Sequence, residues 1–160
     1  MRLPILAVLA AIALYAGGDT ADFTGSYTRT SHKGGSIMKV GTSTELQVVQ
    51  SAVAIEVTRV IDGSANTYKV KLDGSETPLE MAGVQKASCA ARVKGKTLTV
   101  DIHATMAVQP KSPPMELHAR EKWTLSPDGK TLTVHGEANS PSVPPSVQII
   151  QPWTEVYARN

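Results

Sequence analysis

The sequence predicts an all-β fold: an antiparallel up-and-down meander closed into a barrel of about 8–10 strands. Three observations carry that expectation. No stretch beyond residue 20 sustains helical periodicity, period-two alternation recurs along the chain, and short turn signals separate the alternating runs. Composition agrees with a globular protein, since 41% of the 160 residues are apolar and 19% charged. Sixteen Lys+Arg against fourteen Asp+Glu leave a formal charge of +2, which gives no electrostatic case for binding nucleic acid. A single cysteine excludes an intramolecular disulfide framework and any multi-Cys zinc site.

At the N-terminus, Met1-Arg2 is a short positive start to an apolar run from Leu3 to Leu14. That run is too short to span a bilayer, which needs about 20 residues. Small residues follow, Ala16-Gly17-Gly18, and then polar Asp19-Thr20. The pattern predicts a secretory signal peptide over 1–18 and one mature domain over 19–160, exported to the periplasm or beyond the cell. Cys89 lies far from the cleavage region, so no membrane anchor is expected in the mature form.

Ten strands are expected, over 22–30, 45–50, 53–61, 66–73, 77–82, 87–94, 97–105, 116–125, 131–139 and 147–158. The alternation justifies them in order. Val53, Ile55 and Val57 oppose Glu56 and Thr58; a single bent strand over 45–60 would read similarly. Tyr68, Val70 and Leu72 oppose Thr67, Lys69 and Lys71. Ala87, Cys89, Ala91 and Val93 share one phase, which makes Cys89 a small core residue. Leu98, Val100 and Ile102 oppose Thr99, Asp101 and His103. Leu117, Ala119, Trp123 and Leu125 oppose Glu116, His118, Arg120 and Lys122, and Leu132 and Val134 oppose Thr133, His135 and Glu137. One apolar and one polar face is the mark of an antiparallel sheet wetted on one side.

Turn chemistry sets the pairings. Asp128-Gly129 suits a type I′ hairpin and Gly95-Lys96 a type II′, while Asp62-Gly63 and Asp73-Gly74 mark two further turns. Paired residues must share a face. Trp123 should therefore meet Val134, Arg120 meet Glu137, Arg92 meet Thr99, Ile55 meet Val70, and Glu56 meet Lys69. Across 106–115, His103 should face either His118 or Glu116. In a meander the connections fall alternately at two ends. Tight turns near 51–52, 73–76, 95–96 and 128–129 collect at one; longer loops over 31–44, 62–65, 83–86, 106–115 and 140–145 collect at the other. Two of those loops carry proline clusters, Pro110/Pro113/Pro114 and Pro141/Pro144/Pro145, which should stiffen them into rims. A β-sandwich would show similar alternation, but sequential hairpins favour the barrel.

Phe23-Thr24-Gly25-Ser26-Tyr27, the late Arg159, and the hairpin from Trp123 to Leu132 together resemble the lipocalin-like (calycin-type) barrels, in particular small exported bacterial domains of that kind. In that family a Gly-x-Trp opens the first strand and an Arg of the last strand packs on the Trp across the closed end. Here Tyr27 stands in place of the Trp. The resemblance implies that Arg159 packs on Tyr27, and that the lumen binds a small apolar or amphipathic molecule.

Glu121 falls in the inward phase with Ala119 and Trp123, and Gln151 would share the lumen if Pro152 bends the last strand that way. An inward carboxylate can orient a ligand or serve as acid or base, or it can be a buried polar group satisfied by a neighbour. Trp123, Trp153, Tyr68 and Tyr157 can stack a ligand, although most aromatics serve packing. Candidate lumen residues are therefore Glu121, Trp123, Tyr68, Trp153 and Gln151. His103 and His118 should lie on the outer wall as ordinary surface histidines, with no metal site and no cofactor expected. His32-Lys33-Gly34-Gly35-Ser36 lacks the following helix and the spacing of a P-loop, and Gly34-Gly35 reads as a flexible rim. The leading functional expectation is an exported small-molecule binding module. The alternative is a cell-envelope structural or protein-interaction module whose barrel is filled by its own side chains. An enzyme working through Glu121 would need a second inward polar partner, and the alternation names none.

Overall fold

Alternation resolves into ten strands in a computed structural model that describes residues 20–34, 43–80, 84–107, 113–142 and 152–160. They are β1 (Gly25–Gly34), β2 (Glu45–Gln50), β3 (Ala54–Ile61), β4 (Ser64–Lys71), β5 (Thr77–Leu79), β6 (Lys86–Lys94), β7 (Thr97–Met106), β8 (Met115–Leu125), β9 (Thr131–Asn139) and β10 (Trp153–Arg159). The expected signal segment over 1–18, Pro110, Pro144, Pro145 and Gln151 lie outside the described residues, as does the expected start of the last strand at 147.

All ten belong to one antiparallel sheet with the order β4-β3-β2-β1-β10-β9-β8-β7-β6-β5. The pairing of β1 with β10 joins the first strand to the last and makes a barrel rather than a sandwich. The remaining edges, β4 and β5, meet at a seam. There Asp73 bridges Arg92, and the Gly74 N–H donates to the Ala91 carbonyl at 3.0 Å. β5 is only three residues long and carries Pro78, which cannot donate to a ladder and so belongs on an edge. The barrel is nearly closed.

The expected registers hold. Trp123 faces Val134 and Arg120 faces Glu137; Arg92 faces Thr99; Ile55 faces Val70 and Glu56 faces Lys69. Of the two alternatives, His103 faces His118, which sets Asp101 opposite Arg120. β2 and β3 are separate strands, broken at Ser51, whose N–H donates to the Ala54 carbonyl at 2.8 Å. That break leaves Val53 73% exposed in the turn instead of inside with Ile55 and Val57.

Two turns differ from expectation, and for one reason. A two-residue I′ turn needs positive φ at both centres. Asp62 (φ 50°) and Gly63 (φ 79°) both have it, so 62–63 is a tight hairpin rather than the longer loop expected over 62–65, and β4 starts at Ser64. At Asp128-Gly129 only Gly129 has it (φ 70°). The chain turns instead over Ser126–Gly129, where the Gly129 N–H donates to the Ser126 carbonyl at 2.9 Å. Pro127 favours negative φ at the first corner of such a turn, and the strand register survives unchanged.

The interior is graded along the barrel axis. Phe23, Tyr27, Tyr157, Trp123, Leu46, Leu98 and Leu132, none more than 2% exposed, fill the end with the short turns. Toward the other end the inward positions of β6–β9 are mostly small: Ala87, Cys89, Ala104, Ala119, Gly136 and Ala138. Bulk therefore plugs one half of the lumen, and small side chains line much of the other.

Candidate functional site

The plugged end is held by polar clasps. The Tyr27 hydroxyl donates to the Phe23 carbonyl at 2.9 Å, and the Gln50 side chain accepts from the Phe23 N–H and donates to the Ala21 carbonyl. Arg159 stands over the Tyr27 ring at 5.7 Å and donates to the Gly129 and Thr24 carbonyls, tying the 126–130 loop to the entering chain.

Above this plug lies a buried ion pair. Arg59 of β3 and Glu121 of β8 are 5% and 0% exposed, and Arg59 Nη2 donates to Glu121 Oε2 at 2.5 Å across the lumen. The same carboxylate oxygen accepts from Trp123 Nε1 at 2.8 Å. Arg59 Nε donates to the half-buried Tyr68 hydroxyl at 3.1 Å, and the guanidinium lies 5.3 Å from the Trp123 ring. Burial works against the Arg59 charge, but the Glu121 carboxylate together with the Tyr68 and Tyr157 hydroxyls outweighs it, and the pKa of Arg59 rises well above its ordinary value. Burial also pushes Tyr68 up to about 12, against the pull of Arg59. Cys89 is buried nearby, and desolvation, helped by Glu121, raises its thiol to about 12.

A second carboxylate, Glu155 of β10, is also 0% exposed. Its Oε1 accepts from Arg29 Nη1 at 3.1 Å and lies 3.4 Å from His32 Nδ1; its Oε2 accepts from the Tyr157 hydroxyl at 2.6 Å. Tyr157 also pairs with the Ser43 hydroxyl at 2.9 Å. Burial and the hydrogen bond to Glu155 both raise the Tyr157 pKa. Arg29 and His32 reach the same carboxylate because β1 bulges between Arg29 and Ser31. Arg29 lies opposite Tyr157 and His32 opposite Glu155, so the extra residue re-aims the strand after the bulge. His32 thus belongs to β1, which runs on to Gly34, and not to the longer loop expected over 31–44.

The expectation of a single inward carboxylate is therefore corrected to two. Both Arg59 and Glu155 were legible in phase: Arg59 continues Ile55 and Val57, and Glu155 lies between Trp153 and Tyr157. Their charge concealed them from a search for apolar periodicity.

The two carboxylates differ in what they leave open. Both oxygens of Glu155 are engaged, whereas Glu121 Oε1 is buried with no hydrogen-bond partner. Trp153 Nε1, on a residue 2% exposed, likewise has none. The two residues belong to one tier, since Gly136 of β9 pairs with Glu121 on one side and with Trp153 on the other. The indole lies over Gly136 so closely that a Cβ there would sit 2.0 Å from Trp153 Cε2. An unmet acceptor on β8 and an unmet donor on β10 thus flank β9 inside the barrel. Left without water or ligand, each would cost about 1–3 kcal/mol.

Elsewhere, a cleft of about 680 Å³ opens on the barrel flank between Val53, Val70, Leu72 and Thr77; the Glu121 tier does not line it. On the outer wall the His103 and His118 rings lie 4.4 Å apart, with His103 Nδ1 at 3.4 Å from Glu76. Among the described residues no group of three or more His, Cys, Asp or Glu is placed to hold a metal ion.

The fold defines the class: a ten-stranded, antiparallel, nearly closed meander barrel. Among solved structures it is similar to a mutant form of the REP1-NXSQ fatty acid transporter, with a TM-score of 0.53 and 11% identity over 87% of this chain and 98% of that one. At that identity the likeness is one of fold. No family model and no curated protein sequence matches the chain.

Proposed function

We propose that this protein is an exported, lipocalin-like binding module that holds a small apolar or amphipathic molecule in the open half of its barrel. One observation carries the reading: a buried tier that offers an unmet carboxylate oxygen and an unmet indole N–H above a packed plug, in a region lined largely by small side chains. Pockets for small molecules are apolar with a few convergent polar groups, and this tier has that composition. The fold neighbour named as a fatty acid transporter supports the same reading. Export rests on the N-terminal pattern over 1–18.

The test is native mass spectrometry of the protein recovered from its own host. A mass lacking residues 1–18 together with a bound small molecule is the expected result. A clean apo mass that stays apo after incubation with long-chain amphiphiles would refute the binding reading, and an uncleaved N-terminus would refute export.

A further inference from the structure

Resting on that reading, the geometry points to the chemistry of the head group: we infer that the lumen selects a neutral, hydroxyl-bearing amphiphile over a carboxylate. The Glu121–Trp153 tier presents one acceptor and one donor, both buried and both unpaired. A hydroxyl satisfies both with a single oxygen, donating to Glu121 Oε1 and accepting from Trp153 Nε1–H. The register brings the two groups to one side of the lumen. Glu121 and Gly136 are register partners on neighbouring strands, ~4.8 Å apart. Trp153 lays its indole over Gly136, so its Nε1 stands above the strand beside Glu121. A hydroxyl oxygen bonded to both groups at a tetrahedral angle spans about 4.6 Å.

A carboxylate head meets the opposite situation. The cation in this tier, Arg59, is already paired with Glu121 at 2.5 Å. A ligand carboxylate would bring a second negative charge against Glu121 Oε1, in surroundings with little water to screen it. Beside the second carboxylate the cation is likewise already paired, Arg29 with Glu155 at 3.1 Å. Small side chains on β6–β9 line the lumen beside the tier.

The test is isothermal titration calorimetry on protein stripped of bound small molecules, with dodecanol, dodecanoate and dodecane as probes. Dodecanol should bind at least about tenfold more tightly than dodecanoate. Trp153→Phe removes the N–H together with part of the indole, so it should weaken dodecanol about fivefold more than it weakens dodecane, which reads the lost packing alone. Glu121→Gln removes the resident charge and should shift the preference toward dodecanoate. Dodecanoate binding as well as dodecanol in the unaltered protein would overturn the head-group inference while leaving the binding reading intact. Dodecanol weakened no more than dodecane in Trp153→Phe would also overturn it, marking the tier as a water site. If no probe binds, both readings fall.

Discussion

Replacing Arg59 by Met tests whether the lumen is organised around a charge pair or around packing. Met fills most of the arginine stem, so little volume is lost. The change instead removes the Arg59 donor 2.5 Å from Glu121 Oε2 and leaves a carboxylate that is 0% exposed with Trp123 Nε1 as its hydrogen-bond donor. Breaking a buried pair from one side costs about 3–5 kcal/mol, because the stranded charge keeps its desolvation penalty. Against a total stability of about 5–15 kcal/mol, that loss should lower the urea midpoint by roughly 2 M. The double variant Arg59→Met/Glu121→Gln keeps an acceptor for the Trp123 indole and removes the stranded charge. It should recover much of the loss, with a coupling energy of about 2 kcal/mol or more in the cycle. Equilibrium urea unfolding followed by tryptophan fluorescence reads all three variants. A single-variant cost below about 1 kcal/mol would show that Glu121 is solvated, and the buried tier would lose its meaning.

Three further outcomes are expected. Gly136→Ala should drive Trp153 off its seat, since the added Cβ would lie 2.0 Å from the ring; the change should cost about 1–3 kcal/mol and shift the tryptophan emission. Gly129→Val should destabilise the β8–β9 hairpin because φ there is +70°, and circular-dichroism melts would show a lower midpoint; an unchanged one would contradict the assigned turn. Stability should fall as pH rises above about 9. Cys89 and Tyr68 keep their protons up to about 12 in the folded protein, while the unfolded chain releases them earlier, so the native state binds more protons in that window. Each group contributes at most about 1.4 kcal/mol per pH unit. A urea midpoint that stays level from about pH 8 to about pH 10.5 would contradict the burial of both.

Particular residues show where sequence reasoning reached and where it stopped. Trp123 and Tyr68 were assigned to the lumen from local alternation, and the structure sets both beside Arg59. Trp153 was named as a stacking aromatic, and the structure leaves its buried N–H without a partner. Glu121 was legible as an inward carboxylate from its neighbours Ala119 and Trp123. Its partner was not, because Arg59 lies 62 residues away on a strand that meets β8 only across the lumen.

By itself the sequence determined most of the strands, the registers of three hairpins and, Val53 apart, the face that the alternating residues present. All of these follow from a period of two and from turns of a few residues, and such local constraints hold wherever one face must be buried. The tertiary structure decided what depends on closure: the β1–β10 pairing, the seam beside β5, the bulge that turns Arg29 and His32 toward Glu155, and the single tier formed by Glu121, Gly136 and Trp153. Those contacts join residues far apart in the chain. Whether a buried charge finds a counter-charge or remains open to a ligand is settled only when strands from both halves of the chain enclose the same space.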